Sequence, residues 1–167
     1  MGYQSTAYDI VLVAHILAAI FGLGGVSLNA LYAKQSQQRP GPGGLAVAEA
    51  NFAVNMVAEK IIYAVPVLGL LLVWLSDGTW KFSQTWVWLS IVVYVVALAV
   101  SHTVLLPGAK KINALLHEMN EQGPPVGGPP PQVAALEALG KRMAAAGGFE
   151  HLMLVALIVL MVFKPGT

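Results

Sequence analysis

Charged residues and cysteines are what this 167-residue sequence most lacks. Only 10% of its residues are charged, against about 25% in a soluble domain, and 57% are hydrophobic. With no cysteine, the chain has no disulfides, thiolate metal sites or iron–sulfur clusters. It also has no Walker loop, dinucleotide fingerprint or Ser/His/Asp arrangement, and its basic residues are not gathered into a nucleic-acid-binding face. The composition therefore predicts a polytopic membrane protein with the lipid bilayer as its partner and no nucleic acid.

Four long apolar segments divide the chain. They are residues 8–33, 52–75, 82–106 and 143–163. Each has the ~20 residues that a bilayer-crossing helix needs, and in lipid only a helix satisfies its own backbone hydrogen bonds. We therefore predict one all-α domain over residues 1–167, a four-helix transmembrane bundle in a bacterial inner membrane. Glycine and proline make the loops 35–44 and 123–131 candidates for flexible connections.

The positive charges predict the orientation of the bundle. The basic residues that flank the first and third loops are Lys34, Arg39, Lys110, Lys111, Lys141 and Arg142, whereas Lys81 and Lys164 lie on the other side. This asymmetry favours cytoplasmic first and third loops, with both termini outside. Helical spacing of apolar residues in 109–122, and again from about Gln132, predicts two short cytoplasmic helical arms within the third loop.

Small residues mark one face of the first span. His15, Ala18, Gly22, Gly25 and Asn29 recur at steps of three and four, which predicts a close-packing seam between helices. The last span has a similar face, with Gly147 one turn before His151. We expect both histidines to face protein rather than lipid.

Ionisable side chains within the spans are the candidate functional residues, because each costs at least ~2.5 kcal/mol in lipid. They are His15, Glu59, Lys60, His102, Glu150 and His151. Asn55, Glu59 and Tyr63 share one face of the second span, and Pro66 frees a backbone carbonyl near it. The alternative for Glu59 and Lys60 is that they only snorkel or pair at the inner interface, and His102 lies near that same interface.

Three chemistries suit these residues. Haem b needs neutral imidazoles on facing helices, for which His15, His151 and His102 are candidates. A quinone or proton-transfer site would use Glu59, Tyr63, Glu150 and His151. A metal site is the third alternative, although no H-x-x-x-H or H-E-x-x-H spacing occurs, so its ligands stay unknown. Equally, a histidine on a packing face can serve only to hold helices together.

Two stretches carry a resemblance to known families. AHILAAIFGLGG (Ala14–Gly25) and HLMLVALIVLMVFKPG (His151–Gly166) resemble a family of predicted integral membrane proteins, domain of unknown function 2269. The first helix is also similar to those of copper-resistance D-type proteins and of the haem-binding bacterial protoporphyrinogen oxidase. Phe21 stands where the copper-resistance relatives tend to have tryptophan. The resemblance implies that His15, the pair Gly24–Gly25 and His151 matter.

Two functional hypotheses follow. In the first, the chain is a small bundle that binds haem b and is associated with electron or proton transfer. In the second, it is a non-catalytic accessory subunit that packs through its glycine seams against a larger membrane complex or a second copy of itself. Whether it is an enzyme is left open by the sequence.

Overall fold

The apolar segments form helices throughout the computed structural model, which describes residues 2–39, 41–123, 128 and 130–167. The helices are α1 (Thr6–Ser27), α2 (Asn29–Gln37), α3 (Pro42–Leu75), α4 (Thr85–Val100), a π-helical segment (Ser101–Leu105), α5 (Leu106–Gln122) and α6 (Pro131–Phe163). Together they make four helical stretches long and apolar enough to cross a membrane. The prediction of an all-α four-span bundle is confirmed.

The first loop is shorter than the predicted segment 35–44. Helix α2 continues to Gln37 and α3 begins at Pro42, ten residues before the predicted start of the second span. The Ser36 hydroxyl donates a hydrogen bond to the Gly44 carbonyl at 2.8 Å, and a Cβ at Gly44 would collide with the Arg39 carbonyl. The chain therefore reverses direction by close backbone contact, which glycine at position 44 permits.

The third loop contains the two predicted helical arms. Helix α5 continues from α4 through the π-helical segment, and α6 begins at Pro131, the residue before the predicted start. Most of the intervening stretch, which was predicted to be flexible, lies outside the described residues.

Helices α1 and α3 approach each other closely along their glycines. A Cβ at Gly22 would lie 2.8 Å from Ile62 Cγ1, and one at Gly25 would lie 3.0 Å from Ala58 Cβ. In lipid the hydrophobic effect does not drive helices together. Van der Waals contact between closely approaching helices stabilises their association instead. The first span is thereby held against the second.

A small apolar core joins the helices at the end that carries both termini. Val73, Trp86 and Val87 are buried there, and Trp80 packs against them. The Trp80 indole donates to the Tyr8 hydroxyl at 3.1 Å, while the ammonium of Lys164 lies 4.2 Å from the Trp80 ring centre. The turn between α3 and α4 is therefore tied to both ends of the chain.

The four spans pack mainly with their neighbours in sequence. Helix α1 lies along α3, α3 contacts α5, and α6 lies along α4 and contacts α5. The pair α1 and α6 is not among the helix pairs that pack extensively in the described part of the chain. The first span consequently packs on the second span.

Replacing Gly22 by alanine should weaken this arrangement. The added Cβ has no room beside Ile62, so we expect a loss of about 1–3 kcal/mol from overpacking. Gly24→Ala is the matched control, since a Cβ at Gly24 meets nothing within 4 Å. Thermal unfolding in mild detergent measures both variants. Equal melting temperatures would show that α1 does not depend on its contact with α3.

Candidate functional site

Three polar side chains meet between α3 and the π-helical segment. The Tyr63 hydroxyl lies 2.7 Å from Glu59 Oε1 and 2.6 Å from His102 Nε2. Glu59 Oε1 and His102 Nε2 are themselves 3.1 Å apart. We call Glu59, Tyr63 and His102 the polar triad. All three distances allow hydrogen bonds, so a carboxyl, a phenol and an imidazole form one connected group.

Helical spacing brings the two α3 members together. Glu59 and Tyr63 are four residues apart, which places them on the same helix face, one turn from each other. The third member comes from a widened turn in the facing helix. Leu106 N–H donates to the Ser101 carbonyl five residues back, the hydrogen bond that defines a π-helix.

The π-helical segment has a local cause in the sequence. Pro107 lacks an N–H, and its ring crowds the carbonyl four residues earlier in a regular α-helix. Widening the turn before it relieves this conflict. Such π-helical turns are frequent at functional sites, and this one contains His102.

The proton positions in the polar triad follow from its acceptors. His102 Nδ1 lies 2.9 Å from the Leu98 carbonyl, which only accepts hydrogen bonds, so Nδ1 carries a proton. Nε2 then carries either the lone pair of a neutral imidazole or the second proton of an imidazolium. In the neutral form Tyr63 donates to Nε2, and a protonated Glu59 donates to Tyr63. In the ionic form Nε2–H donates to Tyr63, which donates to the Glu59 carboxylate.

The polar triad lies near one membrane boundary and opens toward the outside of the bundle. Glu59 is sixteen residues from Leu75, or ~24 Å of helix, close to the full ~30 Å of the hydrocarbon core. The Glu59 side chain is 20% exposed, and that of His102 is 40% exposed. The carboxyl is thus the inner member and the imidazole the outer one.

Pro66 shapes the surroundings of the site. Its missing N–H leaves the Ile62 carbonyl without its helical donor. The Tyr94 hydroxyl of α4 supplies a replacement, donating to this carbonyl at 3.3 Å. This bond joins α3 to α4 beside the polar triad, since Ile62 directly precedes Tyr63.

His15 lies against α3, away from the polar triad. Its Nδ1 is 2.9 Å from the Val65 carbonyl, so Nδ1 donates, and in a neutral ring Nε2 then carries the lone pair. A Cβ at Gly69 would lie 3.3 Å from His15 Cε1, which shows how closely the ring approaches the α3 backbone. His15 faces protein, as expected.

The polar residues of the last span lie elsewhere. His151 is exposed, and its Nδ1 lies 2.7 Å from the Gly147 carbonyl of the same helix. The neighbouring Glu150 is half-buried, and a Cβ at Gly147 would meet nothing within 4 Å. The expectation that His151 faces protein is therefore wrong for a single copy of the chain. His15 and His151 are placed on different faces of the molecule by the packing of α1 on α3 and α6 on α4.

Two other features do not form reactive sites. A groove of about 450 Å³ lies between α1 and α3, and it is lined by Phe21, Gly25, Ala53, Val54, Val57, Ala58 and Ile61. All of these are apolar, so the groove offers no acid, base or ligand. Among the described residues, no group of three His, Cys, Asp or Glu side chains is placed to hold a metal ion.

Sequence reasoning identified Glu59 and Tyr63 together but did not pair them with His102. The missing signal was Pro107 shortly after His102, which predicts a distorted turn there but not its direction. Tyr94 gave no signal, because a tyrosine in an apolar span resembles any packing residue. His117 is exposed, and its Nε2 pairs with Glu49 Oε1 at 2.9 Å.

The fold and the polar triad define a four-span α-helical membrane protein with ionisable groups between its helices. The family model described as Predicted integral membrane protein (DUF2269) matches residues 9–165, and the chain belongs to this family. The resemblance of its first and last helices to that family is therefore confirmed. No curated protein and no solved structure matches the chain.

Replacing His15 by leucine should lower stability by about 1 kcal/mol, because the hydrogen bond to the Val65 carbonyl is lost. His151→Leu is the matched control, since this histidine is exposed and bonds only within its own helix. Thermal unfolding of both variants in the same detergent provides the comparison. A larger loss of stability in His151→Leu than in His15→Leu would mean that another chain covers α6.

Proposed function

We propose that this protein is a proton-transfer component of the membrane, in which the polar triad takes up a proton at Glu59 and passes it to His102. The observation that carries the proposal is the position of the Tyr63 hydroxyl within hydrogen-bond distance of both groups. Tyr63 is therefore the bridging residue between an acid and a base.

The proton transfer needs no side chain to rotate. Glu59 gives its proton to the Tyr63 oxygen as the Tyr63 proton moves to His102 Nε2. The O–H bonds of Glu59 and of the original phenol break, and a new phenol O–H and an N–H form. The result is a carboxylate, an intact phenol and an imidazolium, which is the ionic form described above. Each proton moves along one existing hydrogen bond, as a relay requires.

The exposure of the three side chains supports a direction for this transfer. Glu59 is the least exposed member, whereas His102 is 40% exposed on the outside of the bundle. The imidazole can thus hand its proton to an acceptor or redox partner that approaches from the lipid or from a neighbouring subunit. Histidine suits that role, because its charge changes near neutral pH.

Infrared difference spectroscopy across a pH titration tests the relay in purified, lipid-reconstituted protein. We expect a carboxyl C=O signal that disappears in Glu59→Gln and that titrates together with the imidazole signal. In Tyr63→Phe the coupling between the two signals should weaken but persist, because the bridging hydroxyl is gone while Glu59 Oε1 and His102 Nε2 still lie 3.1 Å apart. His117→Gln is the control, since its pair with Glu49 lies outside the polar triad. Independent titration of carboxyl and imidazole in the unaltered protein contradicts the relay.

Haem b is a second candidate, favoured by one observation. His15 donates its Nδ1 proton to a backbone carbonyl, so in a neutral ring Nε2 would have the lone pair with which a histidine could hold haem iron. The pair of His15 and His151 does not fit a shared haem within one copy, because His151 is exposed on α6. His102 Nε2 is already engaged by Tyr63. The haem proposal therefore rests on His15 as a single ligand.

A reduced-minus-oxidised absorption spectrum of the protein purified in mild detergent tests this candidate. If haem b is bound, His15→Ala should abolish the signal, whereas His117→Ala should preserve it because His117 is exposed on α5. A colourless protein obtained in good yield from haem-replete cells removes haem from consideration and leaves the proton relay intact.

The accessory-subunit hypothesis also has one supporting feature. The α6 face around Gly147 and His151 is open to contact, and an imidazole in lipid favours cover by protein. Such a subunit need not exchange protons. The infrared titration therefore distinguishes the accessory subunit from the proton relay, since an accessory role predicts no coupled carboxyl and imidazole signals.

A further inference from the structure

Buried amide oxygens continue from the polar triad toward the end of the bundle that carries the first and third loops. Asn55 lies one turn before Glu59 on α3, and Asn51 lies one further turn before it. The Oδ1 atoms of both residues are buried and have no hydrogen-bond partner among the described residues. The same holds for Oδ1 of Asn29 on α2.

The register of the first two spans brings Asn29 to the same level. Gly22 faces Ile62 and Gly25 faces Ala58, so the two helices run antiparallel with a steady register. Extending that register by one turn places Asn29 beside the turn that contains Asn55. Three amides from two helices thus occupy the stretch between Glu59 and the loop end of the bundle.

Unpartnered buried amide oxygens require donors, because an unsatisfied polar atom costs about 1–3 kcal/mol. The described side chains do not provide these donors. Water does so readily where several polar groups line the same space, and it also conducts protons along its hydrogen bonds. The apolar groove on the other face of α3 offers no such polar wall.

We infer that Asn29, Asn51 and Asn55 line a hydrated path that connects Glu59 with the aqueous phase at the first and third loops. The path rests on the proposed function for its role, since it supplies the proton that the polar triad passes on. Its existence is a separate matter. Hydration of these positions can be measured without any proton transfer.

Single cysteines test the path, and the native chain contributes no background because it has no cysteine. In membrane vesicles of both orientations, a membrane-impermeant thiol reagent should label Asn29→Cys and Asn55→Cys, the two positions of the path that lie within the spans. Labelling is expected only from the side on which it labels Gln38→Cys, an exposed position near the first loop. Water is needed because the reagent attacks the thiolate, which does not form in hydrocarbon.

Val57→Cys is the matched control. Val57 lies between Asn55 and Glu59 along α3, but its side chain is 59% exposed and borders the apolar groove. It should stay unlabelled. Reactivity of Asn29→Cys and Asn55→Cys no greater than that of Val57→Cys overturns the path, as does labelling from the opposite side.

The role of the path has its own measurement. In Asn55→Leu, deuterium exchange at the Glu59 carboxyl should slow severalfold in the infrared signal, whereas Val57→Leu should leave it unchanged. Unchanged exchange in Asn55→Leu overturns the proton-delivery role. If the cysteines are labelled but the unaltered protein shows no Glu59 carboxyl signal, the relay fails and the hydrated path stands.

Discussion

A hydroxyl group held between a carboxyl and an imidazole links the second span to the third about midway along α3. In lipid, each of these groups would be costly alone, and together they satisfy one another. Tyr63 provides that link by contacting both Glu59 and His102. The π-helical segment contains His102, and the replacement donor at Tyr94 bonds to Ile62, the residue before Tyr63. At the end that carries both termini, aromatic packing around Trp80 closes the bundle.

The need to satisfy polar groups in lipid also explains how the helices are arranged. A proline in α3 removes a backbone donor, and the Tyr94 hydroxyl of α4 replaces it. Another proline accompanies the widened turn that contains His102. These departures from regular helix are tolerated in a membrane because neighbouring helices supply the missing hydrogen bonds. The polar triad and the helix distortions therefore occur in the same part of the fold.

Glycine has two distinct uses in this chain. Gly22 and Gly25 allow α1 to lie directly on α3, and this contact stays within one molecule. Gly147 has open space around it in a single copy, so it suits contact with something outside the chain. From the sequence the two stretches look alike, because both combine small residues with a histidine. Only the neighbouring helix distinguishes an internal seam from an external one.

Hydropathy, chain length and helical spacing by themselves determined the four spans, the all-α class, the helical arms and the shared face of Glu59 and Tyr63. These features depend on residues close in sequence, because the geometry of a helix determines which of their side chains lie near each other. The pairing of His102 with Tyr63, the contact of His15 with α3 and the exposure of His151 were decided by tertiary structure alone. Each depends on which helices pack together and on how far a helix rotates. A π-helical turn changes the rotation of the helix, and the spacing of residues in the sequence does not reveal that change.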